Sequence, residues 1–385
     1  MNISNMDKKQ TIRAFVAACI GMAFFGVTMV ALGAVLPSLT AKLSLTATQM
    51  ATLASILTGG ILIGSLVFGP VCDHYGHKGI FLASCLAVLV GLFGLSVVDG
   101  FAMLVPCYLL IGVGGGVLNG QTNTLASDLY GGDGGKLSLL GAFYGVGAVF
   151  ITFLVYVTDQ RVPIEIIIRI LSAVALLCII YCATVRFPEP KQAQSFPLRQ
   201  AVGMLGQPVL LVMSCVLLLE SSVETITNNL STTYFTQNGL QNVVVLLTVM
   251  MVALTLARFV LSWLSGRMSQ SSILYTFFAV LFVGFVIASV ARSLPVALLA
   301  MSLIGVGTAA TYPVVLGALG GRFKELSGTA FGIAITIALA GSTLLNALVG
   351  GLLLHVYPYV MMCCVVLMVL LFTVGKRLLS QDKKD

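Results

Sequence analysis

Two glutamates, Glu220 and Glu224, stand four residues apart in a long apolar run, and Asn228 extends their stripe by one more turn. At about 100° per residue the three share one helix face. No Lys or Arg lies in that run to neutralise them. Desolvation and the like-charged neighbour both favour the neutral acid, so at least one of the pair suits the uptake and release of a proton. Two carboxylates with nearby amides could instead hold a sodium ion. A second polar pair, Asn119 and Asn123, is also four apart within an apolar run; Gln121 between them points to the opposite face and is the weakest of the three as a ligand contact. Carboxamides donate and accept hydrogen bonds, which suits a hydroxyl-rich ligand. The competing reading is bonding between helices, because a bare amide in hydrocarbon is costly.

Further candidates are Asn229, Asn346 and Tyr312 beside Pro313, where the proline would break its helix and free a carbonyl. Tyr144, with Phe143, Phe24 and Phe25, would supply an aromatic wall for a sugar ring. Glu165 and Arg169 are also four apart but opposite in sign, and are expected to form a structural ion pair.

These groups must be positioned by membrane helices. The 385 residues are 58% hydrophobic and 9% charged, with mean hydropathy +1.07, which excludes an ordinary soluble domain. A bilayer core about 30 Å thick needs about 20 apolar residues per helix. Twelve such runs are expected: 12–37, 46–71, 79–98, 102–125, 137–157, 163–185, 207–235, 242–265, 272–291, 295–318, 328–353 and 357–376. The string Leu110-Ile111-Gly112-Val113-Gly114 returns as Leu303-Ile304-Gly305-Val306-Gly307, an offset of 193, so the chain reads as two related halves. The expected organisation is a six-helix bundle over 1–185, a cytoplasmic linker over 186–206 and a second six-helix bundle over 207–385.

Lys and Arg concentrate on one side of these runs, which places both termini in the cytoplasm and the protein in a plasma membrane, a bacterial inner membrane by preference. The net charge of +7 is thus a topology signal, with no basic face for nucleic acid. The nine cysteines sit mainly inside spans, and neither a disulfide framework nor a metal or cofactor site is expected. Short loops leave no room for a soluble catalytic domain, and no nucleophile–base set supports an enzyme.

Between the second and third runs stands Gly69-Pro70-Val71-Cys72-Asp73-His74-Tyr75-Gly76-His77-Lys78. This resembles the Gly-x-x-x-Asp-Arg-x-Gly-Arg-Lys loop of the major facilitator superfamily. Gly69, Asp73, Gly76 and Lys78 match, and His74 and His77 replace arginines. Asp73, at a helix end, can pair with cations or with a helix N-terminus of the other half and latch one conformation. Arg258 with Gly266-Arg267 resembles the weaker second copy of the loop, with Gly266 where an acid often stands, and Arg258 is read as a gate or latch residue.

The stretches Leu118–Ala148 and Val223–Phe235 resemble the fucose–galactose–proton symporter group. Asn119 stands where fucose permeases have a carboxylate, the first run has no acid, and Leu230 replaces a Trp. The resemblance implies an all-α membrane protein of the major facilitator fold, with twelve helices in two bundles of pseudo-two-fold symmetry. It also implies a monomeric secondary transporter coupled to protons or sodium, carrying a small polar solute, a monosaccharide first. Efflux of hydrophobic or cationic drugs is the rival reading; a non-transporting sensor or membrane enzyme is a second.

Overall fold

The computed structural model describes residues 6–158, 162–189, 202–241, 243–349 and 354–381. Among these, thirteen α-helices follow in order: α1 Lys8–Leu43, α2 Ala47–Tyr75, α3 His77–Leu95, α4 Phe101–Tyr130, α5 Gly134–Thr158, α6 Ile164–Thr184, α7 Pro208–Gln237, α8 Val244–Leu264, α9 Gln270–Val290, α10 Leu294–Thr308, α11 Thr311–Arg322, α12 Ser327–Leu348 and α13 Tyr357–Gln381. Among the described residues, twelve helical segments are long and apolar enough to cross a bilayer, with α10 and α11 making one span between them. Several helices outrun the apolar stretch that announces them, because hydrogen bonding continues past the hydrocarbon boundary. Residues 190–201 of the expected linker and 350–353 of the eleventh run lie outside the described residues.

Local chemistry explains the ends and breaks. Thr46 and Gln49 form a capping box at the start of α2, and α2 stops at Gly76, whose φ of 79° favours glycine. Ser269 caps α9 through the Ser272 N–H. The break between α10 and α11 falls at Ala309–Ala310. Pro313 supplies the cause: it lacks an N–H and its ring crowds the carbonyl four residues back, at Ala309.

The chain separates into two compact units. Unit 1 comprises Met1–Leu129, Phe143–Leu198 and Glu325–Gly332; unit 2 comprises Tyr130–Ala142, Arg199–Lys324 and Ile333–Asp385. The start of α12 therefore groups with unit 1, and the start of α5 with unit 2.

The internal repeat reaches down to helix contacts. In unit 1, Gly112 abuts the Leu57 carbonyl, Gly114 abuts Val88, and Gly91 abuts Ile111 and the Cys107 carbonyl. In unit 2, Gly305 abuts the Met250 carbonyl, Gly307 abuts Leu281, and Gly284 abuts Ile304 and the Ala300 carbonyl. Every glycine and every partner is displaced by the same 193 residues. A Cβ at any of these glycines would collide with its neighbour, so small residues set the close approach of the helices.

Candidate functional site

The acidic stripe lies in unit 2. Glu220 is 1% exposed, and neither carboxyl oxygen finds a hydrogen-bond partner among the described residues. Glu224, one turn on, is half-buried, and the charges that act on Glu220 are those of Glu224 and Arg258. Asn228 continues the stripe with a buried Oδ1 lacking a partner, and Ser231 Oγ and Thr311 Oγ1 are in the same condition. Asn229 Nδ2 donates to Asn346 Oδ1 at 3.3 Å, so α7 and α12 bring two of the candidate amides together. Tyr312 is half-buried on α11, which packs on α7. Native interiors satisfy most buried polar atoms, so a row of bare oxygens on one helix face marks a place built for something other than packing.

The amide pair of α4 lies in unit 1. Asn119 and Asn123 are both buried, and Asn123 Nδ2 donates to the Asn119 backbone oxygen at 2.8 Å and to Asn119 Oδ1 at 3.3 Å. Gln121 points elsewhere, as its spacing requires: it is fully buried and donates to the His77 carbonyl oxygen. The four aromatics part company. Phe25 and Tyr144 pack against each other with ring centroids 5.5 Å apart and planes tilted by 40°. Phe24 and Phe143 instead line a separate cavity of about 300 Å³ with Ile20, Val146, Phe150 and Val174. That cavity is apolar throughout, so these two rings offer no wall for a sugar's hydroxyls.

Asp73 is 2% exposed and fully occupied by the start of α12. Its Oδ1 accepts from the Gly328 N–H at 3.1 Å, and its Oδ2 accepts from the Thr329 N–H at 2.8 Å and from Thr329 Oγ1 at 2.7 Å. The positive end of a helix dipole thus meets a buried carboxylate. Gly69 permits the approach, since a Cβ there would stand 2.6 Å from the Gly328 oxygen. Beside it, His77 Nε2 donates to Asp128 Oδ2 at 3.0 Å, and Asp128 Oδ1 accepts from Ser327 Oγ at 2.8 Å. Lys78 is exposed.

Arg258 does not join this cluster. It lies in unit 2, where its Nη1 donates to the Gly141 oxygen at 3.0 Å and its own carbonyl accepts from Ser138 Oγ at 2.8 Å.

Glu165 also differs from expectation. Its partner is Lys42 of α1 at 2.8 Å, while Arg169 is exposed. Lys42, at the end of a neighbouring helix, hydrogen-bonds the carboxylate directly, and Arg169 acts on it only through its charge.

Residues 16–346 match the family described as the Major Facilitator Superfamily. The chain belongs to that superfamily. It is therefore a multi-pass membrane transporter with an all-α major facilitator fold, and not an enzyme. A curated relative, "Uncharacterized MFS-type transporter YfkL" of Bacillus subtilis (strain 168), is 25% identical over 189 residues, 48% of each chain. The chain thus spans about half the length of the curated relative it matches. Among solved structures, the transporter FucP in the outward conformation aligns with TM-score 0.80 and 16% identity over 95% of this chain and 99% of its own. The proton:xylose symporter XylE bound to 6-bromo-6-deoxy-D-glucose aligns with TM-score 0.80 and 14% identity over 95% of both chains.

Three features of this major facilitator's polar groups lay beyond sequence reasoning: the charge of Arg258 on Glu220, the Lys42–Glu165 pair, and the hydrogen bond from the Tyr357 hydroxyl to Thr227 Oγ1 at 3.0 Å. The 193-residue offset does relate one further arrangement: it places Gly135 opposite Ser262 in unit 2 as Gly328 lies opposite Gly69 in unit 1.

Proposed function

We propose that this chain is a secondary active transporter that carries a small polar solute, a monosaccharide first, by alternating access coupled to a proton. The observation that carries the reading is Glu220, a buried acid at membrane depth with both oxygens unpartnered, backed by Glu224 on the next turn. A proton is placed before sodium because the similar solved structures described as symporters are described as proton-coupled. The carboxamides of Asn119 and Asn123 in unit 1, and of Asn228, Asn229 and Asn346 in unit 2, supply the donors and acceptors that a hydroxyl-rich solute needs.

A solved neighbour described as the E. coli fucose:proton symporter FucP, with TM-score 0.79 and 15% identity, and the proton:xylose symporter support the substrate class. In this scheme the solute is exposed to each side of the membrane in turn, Asp73 holds one conformation closed, and the protein lies in the plasma membrane with cytoplasmic termini.

The test is gradient-driven uptake of radiolabelled fucose and xylose into proteoliposomes. Wild type accumulates solute above equilibrium, whereas Glu224→Gln and Glu220→Gln lose accumulation far more than exchange. Equal accumulation by wild type and both variants would refute the coupling role. The apolar cavity of unit 1 favours a second reading, export of a hydrophobic compound. Proton-driven export of a lipophilic cation from the same vesicles, with no sugar uptake, would establish that reading instead.

A further inference from the structure

The apolar cavity of about 300 Å³ lies wholly within unit 1 and has a definite shape. Its walls run from Ile20 to Val27 on α1, from Phe143 to Phe150 on α5 and from Leu171 to Cys178 on α6. Each wall keeps to one helix face over two turns, so the cavity is a slot that follows the helix axes for about 10 Å. One end is shut, because Val27 and Leu171 belong to a core cluster with Ile151 and Ile167. The edge between α1 and α5 is closed by backbone contact: a Cβ at Gly26 would strike the Tyr144 carbonyl, and one at Gly147 the Ala23 carbonyl. The mouth lies where Val146, Phe150 and Val174 line the slot and are yet 41–47% exposed. Val174 also continues the stripe of Ile166, Ile170, Leu177 and Ile180, the exposed apolar face of α6. On a membrane-spanning helix such a face meets acyl chains, so the slot is continuous with the protein's surface toward the bilayer.

Among the described residues the Cys178 sulfur is the only side-chain heteroatom on the slot's walls. Water inside would find no partners, and an empty void forfeits the contacts of its walls. An apolar cavity of roughly 150 Å³ stays dry and admits a guest such as benzene. We propose that the slot holds one acyl chain of a bilayer phospholipid, its methyl end against Val27 and Leu171 and the rest of its length leaving through the mouth. The chain fills space for which the sequence provides no side chain, and it ties α5 and α6 to α1. The site stands apart from the sugar and proton reading, since it touches none of the polar groups assigned there, and it gives the cavity a resident occupant in place of an exported one.

The experiment uses the full-length protein in vesicles of phosphatidylethanolamine and phosphatidylglycerol with a trace of phosphatidylcholine that bears a photoreactive diazirine near the end of one chain. Adducts are mapped by mass spectrometry, in vesicles and again after transfer to detergent with washing. In vesicles, the slot residues Phe24 and Phe143 and the outward residues Leu177 and Ile180 should all be labelled. After washing, the outward adducts should fall at least tenfold and the slot adducts less than threefold. Val146→Trp plugs the mouth and should cut the slot adducts at least fivefold while Leu177 and Ile180 label as before. Val174→Trp plugs it from α6 and serves where Val146→Trp does not fold.

Slot residues that stay unlabelled in wild type, equal losses at slot and outward positions on washing, or slot labelling that survives the plug in a folded variant each overturn the proposal. The wash comparison in wild type decides alone if neither variant folds. Phospholipid added to the washed protein should also raise the wild-type unfolding midpoint by a few degrees, and the plugged variant should respond less than half as much. Tetraphenylphosphonium that abolishes the slot adducts and is itself pumped by wild type would assign the slot to export and end the case for a resident lipid. Failure of fucose and xylose uptake would sink the sugar reading and leave the adduct pattern as it is.

Discussion

The 193-residue repeat sets two helix junctions side by side. In unit 1 the end of α2 meets the start of α12; in unit 2 the end of α8 meets the start of α5. Gly69 faces Gly328 in the first, and Ser262 faces Gly135 in the second, each pair at the same offset. The chemistry of the two then diverges. Asp73 takes three donors from α12, whereas its counterpart Gly266 brings no side chain. The start of α5 is capped locally instead, by Asp133 Oδ1 accepting from the Gly135 N–H at 2.7 Å. The junction is held by Arg258, which spends one donor on Gly141 and leaves another bare. A duplicated scaffold therefore carries one saturated junction and one that keeps hydrogen-bonding capacity in reserve. Saturation suits a contact that holds a state. Reserve suits a contact that changes partners during a cycle.

The largest effect should follow from breaking the saturated junction. Asp73→Asn replaces one acceptor oxygen with a donor that faces N–H groups, and it removes the charge that meets the helix dipole. Hydrogen bonds to a charged group contribute about 1.5–3 kcal/mol each, so a net loss of about 3 kcal/mol is reasonable. That corresponds to roughly a 100-fold shift in the population of the closed junction. Solute exchange should slow by about tenfold or more, with solute affinity changed by less than about threefold. A collapse of affinity would mean that Asp73 shapes the binding site and does not merely hold a conformation.

Gly69→Ser tests the same junction more gently. It installs the residue type that unit 2 already carries at Ser262, but its Cβ would meet the Gly328 oxygen at 2.6 Å. Overpacking of this kind costs about 1–3 kcal/mol. Turnover should fall less than in Asp73→Asn, and the purified protein should unfold a few degrees earlier. Wild-type turnover would show that the tight approach at Gly69 is not needed.

Much of this frame was legible in the sequence, for reasons that differ by residue. Hydrocarbon imposes a length and an apolar composition, so the twelve spans follow from counting. The repeated glycines follow from the need for close packing, and Asn119 with Asn123 from helical periodicity alone. Pro313 signalled its break because proline acts on its own helix. Asp73 was readable because its loop matches a family pattern and a helix end attracts an acid.

What stayed hidden depends on neighbours that no periodicity fixes. Lys42 is 123 residues from Glu165 and takes it from Arg169, only four away. Arg258 reads from sequence as a gate near the cytoplasm, and what fixes its side chain is the Gly141 carbonyl of α5, 117 residues away. Phe24 and Phe25 are adjacent, so they face different directions on their helix, and one belongs to an apolar cavity while the other packs on Tyr144. Rotamer and tertiary contact decide these cases, and both lie outside the one-dimensional pattern.

The smallest expected effect comes from making the second junction resemble the first. Gly266→Asp restores an acid where the repeat places the counterpart of Asp73, and a Cβ there meets nothing within 4 Å, so space exists. The receiving helix is less welcoming than α12, because the Gly135 N–H is already held by Asp133. The new carboxylate would find the helix dipole and the remaining free N–H groups of the first turn, together about 1 kcal/mol. The unfolding midpoint should rise by about 2 °C, and exchange should slow by less than about fivefold as the junction gains a second hold. Pairing Gly266→Asp with Gly135→Ala, whose Cβ would stand 2.9 Å from Ser265 Cβ, should cancel the gain if the acid works through that approach. A rise that survives the second substitution would place the acid's benefit elsewhere, and the two junctions would then be alike in backbone only.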